Sequence, residues 1–251
     1  LCLDVSTSMI NIDASVLKTF SEILEDFDGE RVGLVAWNSA AQTIVPLTDD
    51  YELLRQQMDK LSEVLDINPQ NPTYKQALRY NEAFSGTQNR SINASSLAGD
   101  GLASCAQAFD NQGLERSRSI IFATDNQVID PDKEQIYSLP DAVGLLSERK
   151  IRLFSVYGAD DDQSYQYQLD QSPEESREEL KTVSEEQGNG RFYDVEDSGT
   201  GGHIVKELEK TEVSTLGGRT QTRRTDVPQS LIMTLSLVIL AYLGLTTWRR
   251  A

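Results

Sequence analysis

Leu1-Cys2-Leu3-Asp4-Val5-Ser6-Thr7-Ser8-Met9 is an apolar run that ends in a carboxylate and continues through hydroxyls at alternate positions. Leu1–Val5 reads as a short buried strand, and Val16, Leu17, Phe20, Ile23, Leu24 and Phe27 recur at helical spacing, which predicts a helix over Ser15–Phe27. A strand therefore feeds a helix, with an oxygen-rich turn between them.

The same alternation continues outward. Arg31–Trp37 and Gln42–Leu47 read as strands paired across the Asn38-Ser39-Ala40 turn, an antiparallel hairpin. Tyr51–Leu65 is an amphipathic helix, and Gly101–Phe109 looks like the start of another. Strands are predicted at Ser119–Thr124, Ile151–Tyr157 and Arg191–Val195, and helices at Ile136–Arg149, Glu174–Gln187 and Ile204–Glu212. Strands alternating with helices predict an α/β fold, with a mostly parallel central sheet, one antiparallel strand and helices on both faces. Ligands of such sheets bind outside the carboxyl ends of the strands. Three stretches interrupt the beat: polar Asp66–Ala94, acidic Gly158–Pro173 and the arginine-bearing Gly217–Asp226. The first, an insertion over 66–94, should lie on the same face as Ser96 and shape partner specificity.

All 40 acidic residues but only 21 of the 23 Lys and Arg precede Val227, so residues 1–226 carry a formal charge of −19. That surface repels nucleic acid and anionic lipid. Cys2 and Cys105 match neither a disulfide framework nor a metal knuckle and read as small core residues. Val227–Trp248 is 22 residues without a charge, the length of a bilayer-spanning helix, and is bounded by Arg249 and Arg250. This divides the chain into a domain over 1–212, a linker over 213–226, a transmembrane helix over 227–248 and a tail over 249–251, with the domain expected on the extracytoplasmic side. The chain opens on Leu1 rather than Met and reads as a fragment or a processed product.

Asp4-Val5-Ser6-Thr7-Ser8 can turn three oxygen ligands toward one centre, the kind of donors that hard cations take. Asp125 follows the strand Ser119–Thr124, so two carboxylates emerge at the binding edge of the predicted sheet, and Ser95 and Ser96 stand just before a helix. The segments Leu3–Met9, Ser96-Leu97-Ala98-Gly99-Asp100-Gly101-Leu102 and Ala123-Thr124-Asp125 resemble, in order, the metal-ion-dependent adhesion site (MIDAS) of von Willebrand factor A domains. The resemblance covers residues 1–212. It implies a Rossmann-like fold and a metal set of Asp4, Ser6, Ser8, Ser96 and Asp125, with Ser96 in the place of the usual threonine. It further implies Mg²⁺ or Mn²⁺ as the cofactor and a partner protein that supplies an Asp or Glu carboxylate. Two departures stand out: Ser95-Ser96 replaces a Gly-Thr pair, and Asn126 replaces the glycine after the last aspartate. Serine keeps the hydroxyl, and Asn tolerates the left-handed backbone.

Ile204–Val213 followed by an apolar segment resembles the membrane-anchored Bat aerotolerance-type proteins of bacteria, which implies envelope complex assembly beside a MoxR-type ATPase or other membrane proteins of this domain type. A binding module is expected rather than an enzyme. The sole histidine, His203, stands apart from the motif, and Ser6 occupies the place where a carboxylate-nucleophile phosphatase needs an acid. The alternatives are a hydrolase that uses the cation to activate water, or a scaffold whose motif no longer binds metal.

Overall fold

The computed structural model describes residues 1–27, 29–67, 71–110, 116–159, 171–197 and 199–215. Residues 1–215 form one compact unit. Its six strands are β1 (Cys2–Asp4), β2 (Val32–Trp37), β3 (Ala41–Thr48), β4 (Arg118–Thr124), β5 (Ile151–Tyr157) and β6 (Arg191–Asp194). They form one sheet in the order β3-β2-β1-β4-β5-β6. Every pairing is parallel except β2 with β3, which the Asn38–Ala40 turn joins as a hairpin.

Each strand carries side chains on alternate faces, and two apolar layers follow. Leu3, Leu34, Ala36, Ile121, Ala123, Phe154 and Val156 face α1 (Ile10–Asp26), α2 (Tyr51–Leu65) and α7 (Thr200–Thr215). Cys2, Val35, Trp37, Ile120, Phe122, Ile151 and Leu153 face α4 (Ala98–Gln107), α5 (Leu139–Glu148) and Leu180 of α6 (Pro173–Thr182). The predicted mostly parallel sheet, its one antiparallel strand and the helices on both faces are all present.

Several elements differ from the sequence reading, each for a local reason. Asp66–Ala94 contains a helix, α3 (Tyr74–Phe84), begun by a capping box in which Thr73 and Gln76 satisfy each other's backbone N–H groups. Phe84 is its only buried residue, and Tyr74 and Leu78 are exposed, so no apolar stripe marks its period; Phe84 lies in the core and stacks at a tilt on Tyr80. α1 starts before Ser15, through a 3-10 turn at Thr7–Met9 directly after the motif. α5 starts at Leu139, not Ile136, because Ser138 caps it with Pro140 in its first turn. The preceding segment is held instead by Asp100, whose carboxylate accepts the N–H groups of Ile136 and Tyr137. α6 ends in a π-helical turn, Val183–Gln187.

Cys2 and Cys105 are core residues, but they are joined in a disulfide, contrary to the reading that kept them apart. They lie 103 positions apart in sequence, beyond any local spacing rule; α4 packs across β1 and brings their Cα atoms to 6.2 Å. No helix among the described residues is long and apolar enough to cross a membrane. The segment at 227–248 and residues 160–170 of the acidic Gly158–Pro173 stretch lie outside the described residues.

Candidate metal centre

The strand order reverses direction at β1 and β4, and the crevice beyond their carboxyl ends is where an open α/β sheet takes its ligand. Asp4 is the last residue of β1, and Asp125 directly follows β4. Both side chains are 0% exposed.

Asp4 is held from three sides. Its Oδ1 accepts the backbone N–H of Ser6 at 2.9 Å, and its Oδ2 accepts the hydroxyls of Thr124 at 2.7 Å and Ser96 at 3.2 Å. Ser6 Oγ lies 3.1 Å from Ser8 Oγ. Ser6 is buried, whereas Ser8 is half-buried beside exposed Thr7 and marks the route from solvent. Asp125 accepts the Gln127 N–H through Oδ1, while its buried Oδ2 has no hydrogen-bond partner. Hydrogen bonds join Asp4 to Ser6 and Ser96 and link Ser6 to Ser8, and Asp125 directly follows the Thr124 that binds Asp4, so the sequence-predicted residues Asp4, Ser6, Ser8, Ser96 and Asp125 lie together at the carboxyl ends of β1 and β4.

Burial pushes the Asp4 carboxyl above its ordinary value, against the pull of Thr124, Ser6 and Ser96. Burial, then the negative charge of Asp4, pushes Asp125 up to about 7, opposed by the Gln127 N–H and the Ser8 hydroxyl. Neither carboxylate is in an ion pair among the described residues. No three His, Cys, Asp or Glu side chains cluster as a metal site there either. The donor set is two carboxylates and three hydroxyls, hard oxygen donors that suit Mg²⁺ or Mn²⁺, and the unpartnered Asp125 Oδ2 is an acceptor that a cation or its water would satisfy.

Two loops adopt backbone conformations that ordinary residues avoid in order to present these groups. Ser96 has φ 53° and Asn126 has φ 53°. Ser95 pairs through its backbone with Ile129, which leaves Ser96 as the serine that turns to Asp4. Asn126 also anchors its loop, since its Nδ2 donates to the Ser176 carbonyl and to Glu179, both at 3.0 Å.

Three positioning residues, and one buried carboxylate that holds no other group by a hydrogen bond, escaped the sequence reading. Asn38, in the β2–β3 turn, accepts the Ser96 N–H at 2.8 Å through Oδ1 and the Leu97 N–H at 3.0 Å through its carbonyl, so the hairpin clasps the Ser96 turn. Thr124 bridges Asp4 and the Asn126 N–H. Tyr80, on α3, donates its hydroxyl to the Val5 carbonyl and so ties the 66–94 insertion to the motif turn. Asp13 is buried on α1. Thr124 stands next to Asp125, and Asn38 and Tyr80 lie in the turn and the insertion already marked in the sequence, but no spacing connects those two to the motif across 58 and 75 positions.

The Gly99-Asp100-Gly101 segment has a packing role. A Cβ on Gly99 would lie 1.9 Å from the Tyr137 carbonyl, and one on Gly101 would lie 2.3 Å from the Trp37 ring. Trp37 is stacked on Phe122 at 5.2 Å, so it has nowhere to retreat.

Comparison with known proteins agrees with this architecture. The fold is similar to that of an aerotolerance-related membrane protein from Bacteroides fragilis NCTC 9343, at 18% identity over 83% of this chain and 96% of that one, with a TM-score of 0.53. It is also similar to the conserved hypothetical protein BatB from Bacteroides thetaiotaomicron, at 17% identity over 84% of this chain and 96% of that one, with a TM-score of 0.55. No curated protein sequence matches significantly. The family model for the von Willebrand factor type A domain matches residues 1–127, which include all five candidate ligands. By that match, on the sheet and crevice described above, the chain belongs to the von Willebrand factor type A family.

Proposed function

We propose that the chain is a protein-interaction module whose centre, Asp4, Ser6, Ser8, Ser96 and Asp125, holds a divalent cation, Mg²⁺ or Mn²⁺. The observation that carries this reading is the pair of fully buried carboxylates, Asp4 and Asp125, that face one another's charge without a cationic side chain, one of them with an unpartnered oxygen. Leaving such groups ionised and uncompensated costs several kcal/mol, roughly. When bound, the cation supplies a positive charge that an Asp or Glu of a partner protein can reach. The chain's own residues set the terms of that encounter: Thr124 and the Ser6 N–H fix Asp4, Asn38 fixes Ser96, and half-buried Ser8 meets the incoming group first. Elsewhere the acidic surface disfavours an acidic partner, so an attraction confined to the centre gives orientation as well as affinity.

The fold shared with a Bacteroides membrane protein and with BatB supports a membrane-anchored role, through residues 227–248, in assembling envelope complexes beside a MoxR-type ATPase or other membrane proteins with this domain. The Cys2–Cys105 disulfide supports a domain on the extracytoplasmic, oxidising side of that membrane.

Calorimetric titration of Mg²⁺ and Mn²⁺ into the full chain, with Asp4→Ala and Asp125→Ala beside it, tests the centre. Binding by the parent and its loss in each variant is the expected result, whereas a parent that binds neither ion leaves the domain as a scaffold without a working centre.

A further inference from the structure

Asn126 does more than accept a left-handed backbone. At φ 53° a glycine would hold the same turn without steric strain, so the backbone alone does not call for an asparagine. Its side chain is what a glycine lacks. The residue is 1% exposed, and its amide turns to α6: Nδ2 donates to the Ser176 carbonyl and to the Glu179 carboxylate, each at 3.0 Å. The Oδ1 atom is buried without a hydrogen-bond partner, a cost that a glycine would not carry.

Both carboxylates of the centre depend on this one residue. Asp125 precedes it in the chain. Asp4 is reached through Thr124, whose Oγ1 accepts the Asn126 N–H at 2.9 Å and donates its own hydrogen to Asp4 Oδ2 at 2.7 Å. The other end of the latch is firm. Leu180 of α6 is buried in the core, and Arg177 pairs with Asp194 of β6 at 2.5 Å while lying over the Tyr157 and Phe192 rings at 5.8 and 5.0 Å. A connected line of hydrogen bonds, passing through Asn126, thus runs from a helix pinned to β5 and β6 to the carboxylate at the end of β1.

The stiffness of a set of oxygen donors decides which divalent ion it favours. Mg²⁺ demands near-octahedral geometry at about 2.0–2.1 Å, whereas Ca²⁺ accepts looser arrangements at about 2.3–2.6 Å. We infer that Asn126 is a positioning residue which, latched to α6, holds Asp4 and Asp125 in the fixed geometry that the smaller ion requires, and so sets the selectivity of the centre for Mg²⁺ over Ca²⁺. The inference rests on the centre proposed above. Asn126 acts through Asp125 and Thr124 and is not itself a ligand.

The test compares the full chain with Asn126→Gly, which keeps the left-handed backbone and the N–H to Thr124 and removes the two bonds to α6. Mg²⁺ and Ca²⁺ affinities are read by calorimetry. In Asn126→Gly the Mg²⁺ affinity is expected to fall about tenfold or more, while Ca²⁺ binding does not fall with it. A variant that binds Mg²⁺ as tightly as the parent overturns the inference and leaves the five-residue centre standing. So does an equal weakening of both ions, which a merely structural role would produce, and so does a parent that holds Ca²⁺ as tightly as Mg²⁺. A parent that binds neither Mg²⁺ nor Mn²⁺ overturns the centre, and the inference with it. Glu179→Ala, which opens the latch from the side of α6, is held to the same criteria should Asn126→Gly fail to fold.

Discussion

Individual residues at the centre make the folded protein sensitive to pH in an unusual direction. Surface carboxylates that gain partners on folding have lowered pKa values and favour the folded state at neutral pH. Asp4, Asp13 and Asp125 are raised instead, first by burial, with Asp125 at about 7. A carboxyl whose folded pKa exceeds its unfolded value binds more protons when folded, so its contribution is fully present below about pH 4 and is lost as pH rises through the folded value. The metal-free chain is therefore expected to lose stability from Asp125 between about pH 4 and pH 7, with Asp4 and Asp13 acting in the same direction. A cation that takes the deprotonated carboxylates reverses the loss. The rise in melting temperature caused by Mg²⁺ over EDTA should thus be larger at pH 8 than at pH 5. An equal or smaller rise at pH 8 would show that these carboxylates are not the groups the ion meets.

At the scale of elements, glycine separates what packing forbids from what it permits. Gly101, in α4, abuts the Trp37 ring, which is locked against Phe122; Gly144, in α5, is exposed, and a Cβ there would have nothing within 4 Å. Gly101→Ala should cost about 1–3 kcal/mol through forced repacking and, because α4 follows Ser96 by two residues, should also weaken Mg²⁺ binding. Gly144→Ala should stabilise the domain by up to about 1 kcal/mol, through backbone entropy alone, and leave the ion untouched. Denaturant midpoints and calorimetry on both variants check the contrast.

The elements also show where the sequence could be read and where it could not. The parallel strands were legible because each is a short apolar run beside an amphipathic helix, and the motif turn was legible because carboxylate and hydroxyls stand two residues apart. α3 was not, since Phe84 alone of its residues is buried and its other apolar positions face solvent, and its start depends on a reciprocal Thr73–Gln76 cap in an otherwise polar stretch. Asp13 was missed for the opposite reason: its neighbours in α1 announce a core helix, and only its burial without a hydrogen-bond partner sets it apart from them. Asn38 and Tyr80 reach the motif across 58 and 75 positions respectively, which periodicity does not span.

At the scale of the whole molecule, the Cys2–Cys105 disulfide closes a loop of about a hundred residues. Removing it by reduction is expected to cost about 2–5 kcal/mol, chiefly by freeing the unfolded chain, with a lower melting temperature in dithiothreitol as the check. Asp4, Ser6, Ser8 and Ser96, together with Asp13, lie inside that loop, and Asp125 lies outside it. If the proposed anchor and partner hold the chain at two points, it is a link under tension, and the disulfide alters the path that tension takes. Drawn between Leu1 and Thr215, an oxidised chain passes load from Cys2 straight to Cys105, and the segment between them slackens rather than extends. About 350 Å of chain is thereby withheld from stretching until the bond is cut. A single molecule pulled in an optical trap should lengthen by about that much more when reduced, and the oxidised form should keep most of its candidate ligands in one closed ring while the rest of the chain is drawn out.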